Sequence, residues 1–252
     1  MKAEIILLSF FLIFISIQPS FSQKKEKVLV AAAADLRFAM DSIIQIYPNA
    51  TEIEVIYGSS GKFFEQISNG APFDLYFSAD LSYPKKLQEN GKTVSDIYPY
   101  GIGRLVIWSK KDLGRSYSLE MLKDPQYRKI AIANPRHAPY GQRAEEALKH
   151  FGVFEQVKPK LVFGENIAQT AQFVSSGAAD IGIIALSLAL SPNMQKMNQK
   201  YYLIPESSHQ PLIQGAVLVK KTTQNPGAIK FFDFVKEEQA RLILTHFGFT
   251  QP

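Results

Sequence analysis

The sequence predicts an α/β protein of two lobes, built on mainly parallel sheets, with a hinge and a ligand cleft between the lobes. Three observations predict it. Short apolar runs alternate with amphipathic helical stretches along the chain after residue 27. Four times a strand breaks on small or polar residues and passes at once into a helix. Gly101 and Gly103 bracket a junction that leaves two of these turns on each side of it. A strand that runs directly into a helix aims unpaired backbone N–H groups at one point, which is how a protein with neither metal nor cationic clamp holds a small anion.

The first unit is strand Val28-Leu29-Val30, small residues Ala31 to Ala34, then Asp35, from which Leu36, Met40, Ile43, Ile44 and Tyr47 follow at helical spacing. The second is Ile53 to Tyr57, the turn Gly58-Ser59-Ser60-Gly61, and a helix carrying Phe63, Phe64 and Ile67. Parallel strands would place both turns at their carboxyl ends, where open α/β sheets bind ligands. Asp74 to Asp80 reads as a buried strand, Pro84 to Glu89 as a helix, and Arg104 to Trp108 as a strand beyond the junction. Strand Ile130 to Ala133 leads through Asn134-Pro135-Arg136-His137-Ala138-Pro139-Tyr140-Gly141 to a helix over Gln142 to His150. Strand Leu161 to Phe163 leads through Asn166, a good N-cap with Gln169 three residues on, to a helix that Gly177 stops. Strands Ile181 to Ala185 and Gly215 to Val219 follow, then a helical region from Gly227 to Phe247 whose apolar face carries Phe231, Phe234, Val235, Leu242 and Leu244. Taken singly, each turn is only a capped helix; it is their joint presence that points to anion capture.

Lys2, the apolar stretch Ile5 to Ile17 and Ser20-Phe21-Ser22 have the charged, greasy and small-residue regions of a secretory signal cleaved after Ser22. The apolar core is shorter than the roughly 20 residues of a bilayer crossing. Polar Gln23 to Lys27 follows directly, which argues against a membrane anchor. No cysteine is present for a disulfide or a lipid, so an exported, soluble, periplasmic product is expected. Cleavage removes one cation, Lys2, and one anion, Glu4, and leaves the net charge at +5. The basic residues are dispersed, which excludes a nucleic-acid face. About 230 residues remain, enough for two lobes. They are assigned as 23–103 with 213–252 for lobe I and 104–212 for lobe II.

Enzyme readings are weak. Ser59-Ser60-Gly61-Lys62 contains Ser-x-x-Lys, the acylating pair of penicillin-binding enzymes, but no Ser-Asp-Asn or Lys-Thr-Gly accompanies it. Gly58 to Lys62 lacks the spacing of a phosphate loop, and Phe63 stands where Ser or Thr would meet magnesium. The four histidines, 137, 150, 209 and 246, show no metal-ligand spacing. Trp108 and the aromatic residues of the last helical region read as core or lobe-interface packing rather than a ligand box.

The chain resembles the periplasmic molybdate-binding proteins of ABC importers, within the two-lobed type II solute-binding fold. The resemblance covers essentially the whole mature chain. It rests on Ala32-Ala33-Ala34-Asp35-Leu36 with Ala39-Met40, on Ser59-Ser60 with Gln66-Ile67, and on Gly70-Ala71-Pro72-Phe73-Asp74-Leu75 leading to Ser78-Ala79-Asp80. It continues through Pro135, His137, Pro139 and Gly141, Ala144 to Leu148, Gly182-Ile183 and Phe247-Gly248-Phe249-Thr250. What it implies is a monomeric binding protein that takes molybdate, and tungstate with it, to a membrane permease, with no cofactor and no cation site. Phosphate or sulfate is the alternative cargo.

Carried over by position, the resemblance implies contacts from Asp35 where serine is common, from the side chain and main chain of Ser60, and from the N–H groups of Tyr140 and Ile167. Ala185 stands where some members place a tyrosine hydroxyl, so that donor is absent, and the Ala34 N–H or the Tyr140 hydroxyl is a candidate replacement. A carboxylate beside a dianion is repelled by several kcal/mol at an effective dielectric near 20. The Asp35 side chain is therefore expected to turn away and cap the Leu36 helix, leaving a site lined purely by donors. The competing reading has the carboxylate accept a proton from an anion such as hydrogen phosphate.

Overall fold

The structure is a computed structural model that describes residues 27–111, 118–197, 200–220 and 225–252; the expected signal segment lies outside the described residues. β1 (Val28–Ala33) passes through a 3-10 turn, Ala34–Leu36, into α1 (Arg37–Ile46). β2 (Ile53–Gly58) passes through Ser59 into α2 (Ser60–Ser68). β3 (Leu75–Ser78), α3 (Ser82–Glu89) and β4 (Tyr98–Gly103) follow. Beyond Arg104 come β5 (Leu105–Trp108), β6 (Ile130–Ala133), α4 (Pro139–His150), α5 (Phe154–Val157) and β7 (Leu161–Gly164). Then come α6 (Ile167–Ser176), β8 (Ile181–Ala185), α7 (Leu186–Ala189), α8 (Pro192–Gln195) and β9 (Tyr201–Leu203). β10 (Leu212–Leu218), α9 (Pro226–Val235) and α10 (Glu238–His246) close the chain.

Two mixed five-stranded sheets result, in the orders β2-β1-β3-β10-β4 and β7-β6-β8-β5-β9. The expectation of mainly parallel sheets holds only for β2-β1-β3 and β7-β6-β8. β10 runs antiparallel to β3 and β4, and β5 runs antiparallel to β8 and β9. The reason is connectivity. Parallel neighbours need a crossover, which the helices after β1, β6 and β7 supply, whereas the segments that carry the chain between the sheets bring β5 and β10 in from the other direction.

Both faces of the first sheet are covered, so alternate residues of one strand serve different cores. Phe77 packs with Leu36, Met40, Phe231 and Phe234 on one face, while its neighbour Tyr76 packs with Phe63, Ile67 and Leu87 on the other. The second sheet's core includes Trp108, Leu105, Ile132, Leu148 and Ile183. The last helical region is two helices, and Leu242, expected on the apolar face, is 63% exposed, while Leu244 is buried. α6 ends as expected, on Gly177 at φ 83°, a left-handed conformation that only glycine adopts without strain. α4 begins three residues earlier than expected: Pro139 stands at its first position, where a fixed φ and a missing N–H suit a helix start. Tyr140 and Gly141 are thus helical.

Candidate oxyanion site between the lobes

The four turns meet. A small, partly open cavity is lined by Ala33, Ala34 and Asp35 at the end of β1, by Gly58, Ser59 and Ser60 at the end of β2, and by Ala79 after β3. From the second lobe come Ala138 and Pro139 at the start of α4 and Asn166 and Ile167 at the start of α6. No lysine, arginine or histidine lines it. The donors it offers are those of helix starts, where the first N–H groups have no partner within the helix. A larger, more open cleft of about 410 Å³ lies alongside and shares only Ala34 and Asn166 with it; the turns do not converge there.

Ser60 opens α2 and is 1% exposed. Its Oγ accepts the Ala79 N–H at 3.0 Å and its carbonyl accepts the Tyr76 hydroxyl at 2.8 Å. With a lone pair occupied by Ala79, the hydroxyl proton is left for another acceptor. Asn166 caps α6 by accepting the Gln169 N–H at 3.0 Å, and Gln169 Oε1 reaches back to the Glu165 N–H at 2.6 Å. Those two bonds fix the first turn of α6 and free the Ile167 N–H.

Of the residues named from sequence, Ala34, Asp35, Ser60 and Ile167 border the cavity, while Tyr140 and Ala185 do not. Ala185 ends β8 opposite Leu105, is fully buried, and stands just before α7 without a side-chain capping hydrogen bond. The Tyr140 hydroxyl cannot replace the missing donor, because it donates to Asp35 Oδ2 at 2.9 Å.

The capping role expected of Asp35 is overturned. No side chain caps the turn Ala34–Leu36 or α1. Asp35 Oδ2 instead accepts from Tyr140 and, at 2.7 Å, from Gln214 Nε2. Gln214 Nε2 also donates to Tyr140 Oη at 3.1 Å, and its Oε1 accepts the Tyr100 hydroxyl at 2.6 Å. Two buried donors compete for the carboxyl more strongly than the helix start beside it, since a buried Tyr or Gln left unpaired is costly. The cavity is therefore not purely donor-lined. Asp35 is 1% exposed, and its Oδ1 has no hydrogen-bond partner.

Burial pushes the Asp35 pKa from 3.8 up to about 6, while Gln214, Tyr140 and the nearby amides of Asp35 and Leu36 pull it back. A carboxyl whose folded-state pKa lies above its unfolded value favours the fold most when protonated. Its contribution to stability fades as pH rises from about 4 through about 6.

Further contacts hold the lobes together. The Gly61 N–H donates to the His137 carbonyl at 2.9 Å, and the Ser59 hydroxyl donates to the same carbonyl at 2.5 Å. With its one proton so placed, Ser59 Oγ accepts from His137 Nδ1 at 2.9 Å. Burial lowers the His137 pKa. Lys62 pairs with Glu165, and Arg143 Nη2 pairs with Asp80 at 3.0 Å. Ser59 and Lys62, the Ser-x-x-Lys pair, are thus each turned to the other lobe rather than to each other. Sequence reasoning missed Gln214, Tyr100 and the His137 carbonyl. Gln214 had a signal, a lone amide inside the apolar run Leu212 to Leu218; a carbonyl has none.

Residues 28–250 match the profile of the bacterial extracellular solute-binding proteins. The molybdate-binding protein ModA of Azotobacter vinelandii is 35% identical over 226 residues, covering 88% of this chain and 89% of the relative. The ModA of Rhodobacter capsulatus is 35% identical over 227 residues, 88% of each. The structure of the periplasmic molybdate-binding protein of Azotobacter vinelandii superposes with a TM-score of 0.83 at 29% identity, covering 90% of this chain and all of that one. Those relatives are solute-binding proteins, not enzymes. A match across both sheets, with strand-to-helix turns from each closing on one cavity, makes this chain a member of the bacterial extracellular solute-binding protein family.

Proposed function

We propose that the chain captures molybdate, and tungstate with it, and delivers the anion to the permease of an ABC importer. The observation that carries this reading is the meeting of helix starts from both lobes on one small cavity with no cationic side chain, in a chain 35% identical to two molybdate-binding proteins. The anion is held through its oxygens by the Ser60 hydroxyl and by backbone N–H groups at Asp35, Ser60 and Ile167, with Ala34 beside them. Tyr140 contributes through Asp35 and, by its N–H at the start of α4, from behind Pro139. The proposed lobe I comprises 23–103 and 213–252 and lobe II 104–212; the grouping of β1 to β4 with β10 in one sheet and β5 to β9 in the other supports a division near these positions, with Leu212 already in β10. The protein works as a monomer in the periplasm. Among the described residues no helix is long and apolar enough to cross a membrane.

A panel of molybdate, tungstate, sulfate and phosphate tests the cargo. A ligand at about a hundred times its Kd stabilises the fold by roughly 2.7 kcal/mol, a rise of roughly 5–10 °C in Tm for a chain of this size. Molybdate and tungstate are expected to give that rise and sulfate none; equal responses to molybdate and sulfate would remove the selectivity. Phosphate is the informative competitor, because the unpartnered Asp35 Oδ1 is an acceptor for the proton of hydrogen phosphate. Tight phosphate binding without a molybdate response would make it the cargo.

Ser60→Ala removes a donor to a desolvated anion and orphans the Ala79 N–H. The expected loss of molybdate affinity is about 1.5–3 kcal/mol, read by titration calorimetry. Unchanged affinity would leave Ser60 a structural residue only.

A further inference from the structure

Asp35 borders the cavity with a buried carboxyl whose Oδ2 is committed to Tyr140 and Gln214 and whose Oδ1 has no partner. No cation among the lining residues offsets it. A dianion entering this space meets a second negative charge in a medium that screens poorly. An unpaired carboxyl oxygen at such a position is relieved by a proton, and the resulting O–H is a donor of the kind an oxyanion needs. We propose that molybdate binds together with one proton, which Asp35 Oδ1 carries and donates to a ligand oxygen, so that Asp35 works as a hydroxyl-type donor in the complex. This inference rests on the oxyanion reading of the cavity.

The surroundings of the carboxyl agree. Burial already pushes its pKa up to about 6, against the pull of Gln214, Tyr140 and the amides of Asp35 and Leu36. The Asp35 amide is one of the N–H donors proposed for the anion, so binding diverts it from the carboxyl while adding negative charge. Both changes move the pKa upward through neutrality.

Among the described residues, the other ionisable groups around the cavity are engaged elsewhere: His137 turns its Nδ1 to Ser59 Oγ rather than to Asp35, and burial lowers its pKa. Tyr140 and Tyr100 are buried, with hydroxyl pKa values raised well above 10, and stay neutral. α6, α7 and β10 carry no ionisable side chain. On α1 and β2, Arg37 lies over the Tyr57 ring, Tyr57 donates to Asp41, and Glu54 pairs with Lys27. On α4, Arg143 is held by Asp80 and Glu146.

The sign follows from linkage. Between the pKa of the free protein, about 6, and the higher one of the complex, the complex holds one proton more. Affinity therefore falls as pH rises, by up to about tenfold per unit. Calorimetric titration of the full mature chain with sodium molybdate at pH 7.5, in two buffers of unlike ionisation enthalpy, is expected to show uptake of nearly one proton. Asp35→Asn places an amide N–H₂ where the acid O–H stood. It should bind with no proton uptake, with affinity flat from pH 6.5 to 8.5, and at pH 8.5 about tenfold or more tighter than the wild type.

Molybdate binding by the wild type without proton uptake overturns this inference and leaves the cargo standing, a result that needs no variant to fold. Uptake that persists in Asp35→Asn assigns the proton elsewhere and overturns it too. A wild type that takes no molybdate at any pH overturns the cargo and this inference together.

Discussion

Gly61→Ala is expected to lose about 30- to 100-fold in molybdate affinity while the ligand-free protein unfolds at the same urea concentration or a slightly higher one. A Cβ at position 61 would stand 2.6 Å from the His137 carbonyl oxygen and 3.0 Å from the His137 Cα. Both are backbone atoms of the other lobe, fixed by the loop before α4. The third neighbour, Tyr83 Oη at 2.9 Å, is the end of a side chain and can swing. With the lobes together, the methyl group forces Gly61 and His137 apart. That strains the hydrogen bonds from Gly61 N–H and Ser59 Oγ to the carbonyl, each contributing about 1 kcal/mol. A total of about 2–3 kcal/mol corresponds to the stated loss, at 1.4 kcal/mol per tenfold. With the lobes apart the methyl group meets only Tyr83, and alanine in place of glycine near the start of α2 favours the helix by up to about 1 kcal/mol. Opposite signs for binding and stability are the signature. Wild-type affinity in Gly61→Ala would mean that the bound form does not bring these backbones together.

Gly141→Ala makes the same chemical change with the opposite distribution of effects. Here the Cβ would lie 2.1 Å from the Ala133 carbonyl oxygen, 2.7 Å from the Ala133 carbonyl carbon and 2.9 Å from the Pro135 nitrogen. All three are backbone atoms of the same lobe, where the first turn of α4 presses on the chain leaving β6. No side chain can move aside, so α4 must lift from the sheet and uncover the packing of Ala144, Ala147 and Leu148. Overpacking of this kind costs about 3 kcal/mol, which for this chain length lowers Tm by roughly 6–12 °C. The loss is expected in the ligand-free protein and persists with molybdate. A Tm within about 2 °C of wild type would refute the close approach.

Most of the fold was legible because it is local. Apolar runs that end in small residues before an amphipathic stretch place β1 with α1, β2 with α2 and β7 with α6, and their turns reach the cavity together with Ala79, Ala138 and Pro139. What escaped is non-local. Nothing in the periodicity of residues 212–218 says that β10 lies between β3 and β4, or that it runs antiparallel to both. The same holds at the site: Ser60 and Ile167 are visible as helix starts, but Asp35 could be read only against its own helix. Its partners Tyr140 and Gln214 lie 105 and 179 positions away, and once they are absent from view a helix cap is the natural inference.

The position of β10 has a consequence for how the chain matures. Gly215 stands opposite Ser78, 137 positions earlier, so the first sheet lacks an interior strand until nearly the whole polypeptide is present. The second sheet draws on one continuous stretch, β5 to β9, and can condense as soon as that stretch emerges. A chain threaded outward from its amino terminus would leave β3 with an unpaired edge while the inserted unit is still forming. The first lobe would then close last, by a slow long-range step. That order would keep the two halves of the anion cradle apart until β10 is in place.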